Sequence, residues 1–339
     1  MPLPTGEVIG IMSDNLRRRG SVFPISKRAA TRWSTGLNLP RGGSTVLYTG
    51  LMVQLVPYIE VAVAAMERLG DTRLAGLTAL GRRANRVVNL TRLGLHPRAA
   101  TRARYDQVLV DVVGLLRTAG VDFGYLYGDE LYSGALAHDL GLDEAVALHA
   151  RRVIDVFRRN GVREVITVDP HTTTMLRSVY PTLVDDYDLT VRSYLEVLAA
   201  EGSGLGAPTR SLDLELAMHD SCVFARYEGV VDQPRTLLAR TGVSVAEPAH
   251  TGRSTWCCGG PAEALYPAKA LANAGRRVEQ LRAVAPAGVT MCPLCLVNLR
   301  RAAGDTMPFQ DISHYLRQAY LEPAAASLTP RTTPKAAAR

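Results

Sequence analysis

Short runs of consecutive apolar residues alternate along the chain with longer stretches whose apolar positions recur every three or four residues. The first kind predicts buried strands and the second amphipathic helices. Residues 45–48 (Thr-Val-Leu-Tyr) read as a strand, followed by helical periodicity over 57–69, 76–92 and 102–118. Residues 123–127 and 165–168 read as further strands. A long helix is predicted over 133–159, with Ala135, Leu136, Leu140, Ala147 and Val153 along one face. A short helix follows Asp169-Pro170, and another spans about 190–200. The second half has the same rhythm: strand 212–218, helix 233–241, strand 243–247, helix 262–283, strand 288–291, then helices from 293 and from 312. Such alternation predicts α/β units with short parallel sheets.

The repetition extends to individual residues. Val46-Leu47-Tyr48-Thr49-Gly50-Leu51 matches Ala217-Met218-His219-Asp220-Ser221-Cys222, and Tyr132-Ser133-Gly134 matches Cys257-Cys258-Gly259. Val168-Asp169-Pro170-His171-Thr172 matches Met291-Cys292-Pro293-Leu294-Cys295, and Ser193-Tyr194-Leu195 is set against His314-Tyr315-Leu316. Four landmarks in one order indicate an internal duplication. The predicted organisation is therefore an extended arm over 1–43, a cysteine-free first copy over 44–205, a cysteine-bearing second copy over 206–322, and a disordered, proline-bearing tail over 323–339.

Composition narrows the function classes. With 47% hydrophobic and 21% charged residues the chain has ample material for a core. No run approaches about 18 uninterrupted apolar residues, and no segment reads as a secretory signal, so a cytoplasmic protein is expected. The net charge of +7 is concentrated in Arg17-Arg18-Arg19, Lys27-Arg28 and Arg32, and in Arg331, Lys335 and Arg339. No aromatic residues interleave with a basic stripe, which argues against nucleic acid. A solvated basic surface, or docking to an acidic partner or anionic lipid, accounts for the charge.

Chemistry is proposed only by the cysteines. All five lie between 222 and 295, as Cys222, then Cys257-Cys258-Gly259, then Cys292-Pro-Leu-Cys295. Cys222 and Cys292 follow predicted strands, at the end where parallel sheets gather ligands. The i,i+3 offset of Cys292 and Cys295 sets both sulfurs on one side of a helical first turn, with Pro293 suited to the N1 position. Soft thiolates suit an iron–sulfur cluster. Zinc is the competing metal, although it takes four ligands and adjacent cysteines suit it poorly. Incidental buried cysteines are the third reading; a disulfide fits neither the expected compartment nor the vicinal geometry.

This spacing resembles the CCG-domain iron–sulfur protein family, with its consensus of Cys, a gap, Cys-Cys-Gly, a gap and Cys-x-x-Cys. The family includes the cysteine-rich component of heterodisulfide reductase and the iron–sulfur subunits of glycolate-, lactate- and glycerol-3-phosphate-oxidising complexes. The resemblance covers roughly 44–322 and implies two pseudo-symmetric CCG-type α/β domains. It further implies that Cys222, Cys257, Cys258, Cys292 and Cys295 hold one [4Fe–4S] cluster, non-cubane with five ligands or cubane with one spare thiol. The chain departs from the family where its first copy carries Leu51, Tyr132, Ser133, Asp169 and Thr172 instead of cysteines. It also has no CxxCxxCxxxCP run.

The expected function is an iron–sulfur subunit that relays electrons within a multi-subunit oxidoreductase. No GxGxxG opens a helix after a strand, so flavin is expected on a partner, either a flavoprotein dehydrogenase or another iron–sulfur subunit. Peripheral membrane association through that complex is compatible. The alternatives are catalytic disulfide cleavage, as in heterodisulfide reductase, and a structural zinc module. Beside the ligands, His219, Gly259 and His314 are candidates for tuning the cluster, and Trp256 for shielding it. Asp169 and His171 read as remnants of an emptied ligand loop, with Tyr125, Tyr127 and Tyr132 filling its volume.

Overall fold

The computed structural model describes residues 5–70, 78–89, 94–263 and 265–321. Its core holds two four-stranded parallel sheets. The first is built from β1 (Thr45–Tyr48), β2 (Gly124–Tyr125), β3 (Glu164–Thr167) and β4 (Thr190–Ser193), in the order β2-β1-β3-β4. The second is built from β5 (Glu215–His219), β6 (Ser244–Ala246), β7 (Gly288–Thr290) and β8 (Phe309–Asp311), in the order β6-β5-β7-β8. Both sheets thus place their second strand outermost, then the first, third and fourth. Val46, Leu47, Val165 and Ile166 in one sheet, and Leu216, Ala217, Met218 and Val289 in the other, are buried because helices cover both faces.

Register carries the duplication to the strand ends. Tyr48 pairs with Thr167 and Thr167 with Ser193; His219 pairs with Thr290 and Thr290 with Asp311. Ser193 and Asp311 then cap the next helices in the same way, each accepting a hydrogen bond from the backbone N–H two residues on. The counterpart of Ser193 is therefore Asp311. The sequence landmark that set Ser193 against His314 is displaced by three residues, nearly one helical turn, because both positions precede an apolar pair.

The predicted arm is not extended. Thr5–Arg19 is a helix that buries Met12 and Leu16. It is tied down by Asp14 to Arg82 and Arg86 (3.0 and 2.9 Å), and by Asn15 Nδ2 donating to the Val22 carbonyl. Lys27–Thr31 forms a second short helix, capped by Ser26. Gly6, Gly10 and the arginine run hide the first helix in the sequence, and the arginines that hold Asp14 lie 68 and 72 residues away. The long helix expected over 133–159 is two, Ala135–Asp139 and Asp143–Arg159, separated at Leu140-Gly141-Leu142. The tail over 323–339 lies outside the described residues.

The two halves meet through helices. Ala99–Thr118 packs on Ile312–Tyr320, and Met52–Gly70 on Pro293–Ala303. Pro170–Thr174 of the first half packs on the π-helical turn Phe224–Glu228 that follows Cys222. There Thr174 and Ser178 hydroxyls donate to Glu228 at 2.6 and 3.1 Å. This contact brings the cysteine-free loop of the first copy against the cysteines of the second.

Candidate metal centre

Three loops beyond the C-terminal edge of the second sheet carry the five cysteines. Cys222 lies three residues past β5, and Cys292 two residues past β7. Cys292 occupies the N-cap of Pro293–Ala303, with proline in its first turn as expected, and Cys295 follows one turn on. Cys257 and Cys258 arrive on the loop between β6 and the helix Pro267–Arg282. Gly259 there adopts φ 82, ψ 5, a left-handed conformation open to glycine at little cost. Its backbone N–H donates to Cys257 Sγ at 3.3 Å. Gly134 in the first copy has nearly the same angles, φ 84 and ψ −2.

The sulfurs form one unbroken set. Cys222 and Cys257 stand 3.7 Å apart and Cys258 and Cys295 3.2 Å apart; Cys257 and Cys258 adjoin in the chain, and Cys292 and Cys295 are close enough to act on each other. Cys258, Cys292 and Cys295 are buried, whereas Cys222 and Cys257 reach partly into solvent. None of the five is in a disulfide. His219, at the end of β5, joins the set, with a ring nitrogen and the sulfurs of Cys258 and Cys295 all within 4.8 Å of one another.

Residues 216–300 match the model of the cysteine-rich domain called CCG. The chain carries a CCG domain. It is 34% identical over 207 residues to the EtfAB:quinone oxidoreductase of Syntrophomonas wolfei, covering 58% of this chain and 29% of that protein. It is 30% identical over 228 residues to the probable iron-sulfur-binding oxidoreductase FadF of Bacillus subtilis, covering 64% and 32%. A probable membrane-anchored ferredoxin of Chromohalobacter salexigens is 29% identical over 244 residues, covering 68% and 35%. The chain spans about a third of the length of these curated relatives.

The protonation pattern of the CCG-domain sulfurs shows what they can hold. Donation of their own hydrogens to neighbouring sulfurs, reinforced by burial, pushes Cys222, Cys258 and Cys295 well above the usual thiol range. Hydrogen bonds from Cys222 and Cys258 hold Cys257 low. Burial opposes ionisation of Cys292, but bonds from Cys295 and His171 outweigh it and hold that thiol low too. Five packed sulfurs cannot all be anionic without compensating positive charge. A bound iron–sulfur group supplies that charge, and the all-sulfur donor set fits one.

The candidates for tuning divide. His219 and Gly259 touch the sulfur set. His314 shares a hydrogen bond with Gln318 at 3.1 Å and lines a cavity of about 530 Å³ with Arg104, Gln107 and Arg300. The Trp256 indole N–H donates to Asn273 at 2.8 Å, and Asn273 in turn donates to the Cys257 carbonyl, so Trp256 braces the loop that carries the pair.

Two residues of the site escape the sequence pattern. Arg277, in the middle of Pro267–Arg282, is wholly buried behind His219. Its neighbour Arg276 reads identically in the sequence, and no local signal separates them. His171 is more than a remnant: it stands buried within interacting reach of Cys292, with its Nδ1 3.3 Å from Asp139. The matched loops Asp169-Pro-His and Cys292-Pro-Leu are the signal that could have found it, because pseudo-symmetry turns them toward each other.

Proposed function

We propose that this chain is an iron–sulfur subunit of a multi-subunit oxidoreductase, holding one [4Fe–4S] cluster on Cys222, Cys257, Cys258, Cys292 and Cys295 and relaying electrons. The observation that carries the reading is the continuous set of five sulfurs, buried at one end and exposed at the other. When bound, the cluster supplies one-electron redox chemistry. The protein's own groups hold and insulate it. The first turn of Pro293–Ala303 presents Cys292 and Cys295 and favours their negative charge. Gly259 directs its N–H at Cys257. Cys222 and Cys257, meeting solvent, form the edge nearest an electron partner.

A relay is favoured over disulfide cleavage between two clusters, because the matching positions of the first copy are filled by Leu51, Tyr132, Ser133, Asp169 and Thr172. The names of the relatives support an oxidoreductase assembly, and we infer a flavoprotein or another iron–sulfur subunit as the partner. Among the described residues no helix is long and apolar enough to cross a membrane. We place any membrane contact on the partner and the chain itself on the cytoplasmic side.

Anaerobic reconstitution tests the reading. About four irons and matching acid-labile sulfide per chain are expected, with a reversible one-electron step and loss of colour in Cys258→Ser and Cys292→Ser. A single zinc and no iron, or an iron-free colourless chain, overturns it.

A further inference from the structure

Arg277 is the largest wholly buried side chain among the described residues. Its Nε donates to His219 Nδ1 at 3.1 Å, and its Nη1 to the His250 carbonyl and Gln280 Oε1, both at 2.9 Å. Its Nη2 lies 3.5 Å from Thr255 Oγ1. Among the described residues no carboxylate forms an ion pair with it. A buried guanidinium without a directly paired carboxylate is costly; Asp220 acts on it most strongly through space, followed by Cys295, Glu247 and Cys258, so the sulfur set supplies part of its counter-charge.

The hydrogen bond from Arg277 also decides the state of His219. A guanidinium only donates, so Nδ1 must present its lone pair. A neutral imidazole with a free lone pair on Nδ1 carries its hydrogen on Nε2. That Nε2 is buried, has no hydrogen-bond partner, and belongs to the ring standing against Cys258 and Cys295. A nitrogen bearing a proton has no lone pair to give a metal. The ring that by position resembles a sixth ligand is therefore a donor.

We propose that Arg277 locks His219 in the tautomer whose Nε2–H donates to sulfur on the Cys258–Cys295 side of the cluster, and that this bond together with the buried guanidinium raises the cluster's reduction potential. The inference rests on the cluster reading above. Reduction adds negative charge, which a hydrogen-bond donor and a nearby cation stabilise, so both act in the same direction. Arg277 and His219 are positioning residues, acting through the sulfurs.

The test uses the whole chain, reconstituted anaerobically, with iron and sulfide counted first. In iron-loaded His219→Phe the reduction potential falls below that of the unsubstituted chain. In Arg277→Met it falls further, because donor orientation and charge are lost together, and His219→Gln recovers part of the loss through its amide N–H. Potentials equal to the unsubstituted value in iron-loaded His219→Phe overturn the proposal. Pulsed EPR on the reduced His171→Gln chain labelled with ¹⁵N-histidine, in which the ring beside Cys292 no longer contributes, gives an independent answer should the other variants fail to fold. A weak coupling, as through N–H···S, is expected; a strong coupling from a directly bound nitrogen, or none, overturns it. An iron-free chain would sink the cluster reading itself, whereas an iron-loaded chain with bound histidine nitrogen would sink only this proposal.

Discussion

Thr172 Oγ1 donates to Ser133 Oγ at 3.3 Å, at the two positions where the second copy sets Cys295 and Cys258 3.2 Å apart. A hydrogen bond between hydroxyls stands where the second copy has a pair of thiols. A Cβ added at Gly50 would meet Thr172 Oγ1 at 2.3 Å and Ser133 Cβ at 2.9 Å, so backbone and side chains already fill the space. Tyr132 and Asp169, at the positions matching Cys257 and Cys292, are fully buried. Restoring two thiols is therefore not enough to restore a site. The double variant Ser133→Cys/Thr172→Cys is expected to carry the same iron per chain as the unsubstituted protein, measured after identical anaerobic reconstitution.

The matched glycines separate backbone strain from crowding. Alanine at either Gly134 or Gly259 meets the left-handed penalty of about 1–2 kcal/mol. At Gly134 the new methyl would find His149 Cδ2 at 3.6 Å and Met175 Cε at 3.7 Å, ordinary contacts. At Gly259 it would lie 3.0 Å from the Ala270 carbonyl oxygen and 3.1 Å from its Cα, where backbone must yield. Gly259→Ala should lose more stability in urea than Gly134→Ala. It should also lower iron content, because the displaced N–H is the one directed at Cys257.

Asp220, between His219 and the first cysteine, is a buried carboxylate. Desolvation works against its charge, yet Arg235, with support from Gly252 N–H and Thr251, holds it below the usual carboxylate range. The guanidinium makes two bonds to it, at 2.8 and 2.9 Å. Arg235→Met leaves that charge without its cation, at a cost of roughly 3–5 kcal/mol. Adding Asp220→Asn should recover a large part of the loss. Equal unfolding free energies for single and double variants would contradict this.

Acid sensitivity is expected from His149. Its Nε2–H donates to the Tyr132 carbonyl at 2.6 Å, and burial pushes its pKa down to about 4. Unfolded chains take up a proton near pH 6.5 that the folded protein refuses, so stability present above that pH is lost as pH falls toward 4. Between pH 7.5 and pH 5 the loss from this group is about 2 kcal/mol. His149→Gln keeps a donor for the carbonyl without the titration, and its urea midpoint should fall less over the same range.

What the sequence disclosed follows from which forces act locally. The cysteine spacing, the strand ends before Cys222 and Cys292, and the proline opening the helix that carries Cys295 were legible, because each is set by a few adjacent residues. β4 and β8 were not. Thr190–Ser193 and Phe309–Asp311 are three- or four-residue edge strands with polar members, defined by pairing to β3 and β7 rather than by their own pattern. The burial of Arg277 depends on how the helices pack, which no spacing records, and the approach of His171 to Cys292 is hinted at only by the matched Asp169-Pro-His and Cys292-Pro-Leu loops.

That approach gives the thiol-free half a duty. With Asp139 and His171 laid against Cys292, and Glu228 stitched to Thr174 and Ser178, one flank of the proposed redox centre is walled off by its own former twin. In the proposed relay, charge passes through the rim where Cys222 and Cys257, the partly exposed members of the set, touch water. On that reading one copy of the duplicated fold is the conductor and the other its insulating sleeve.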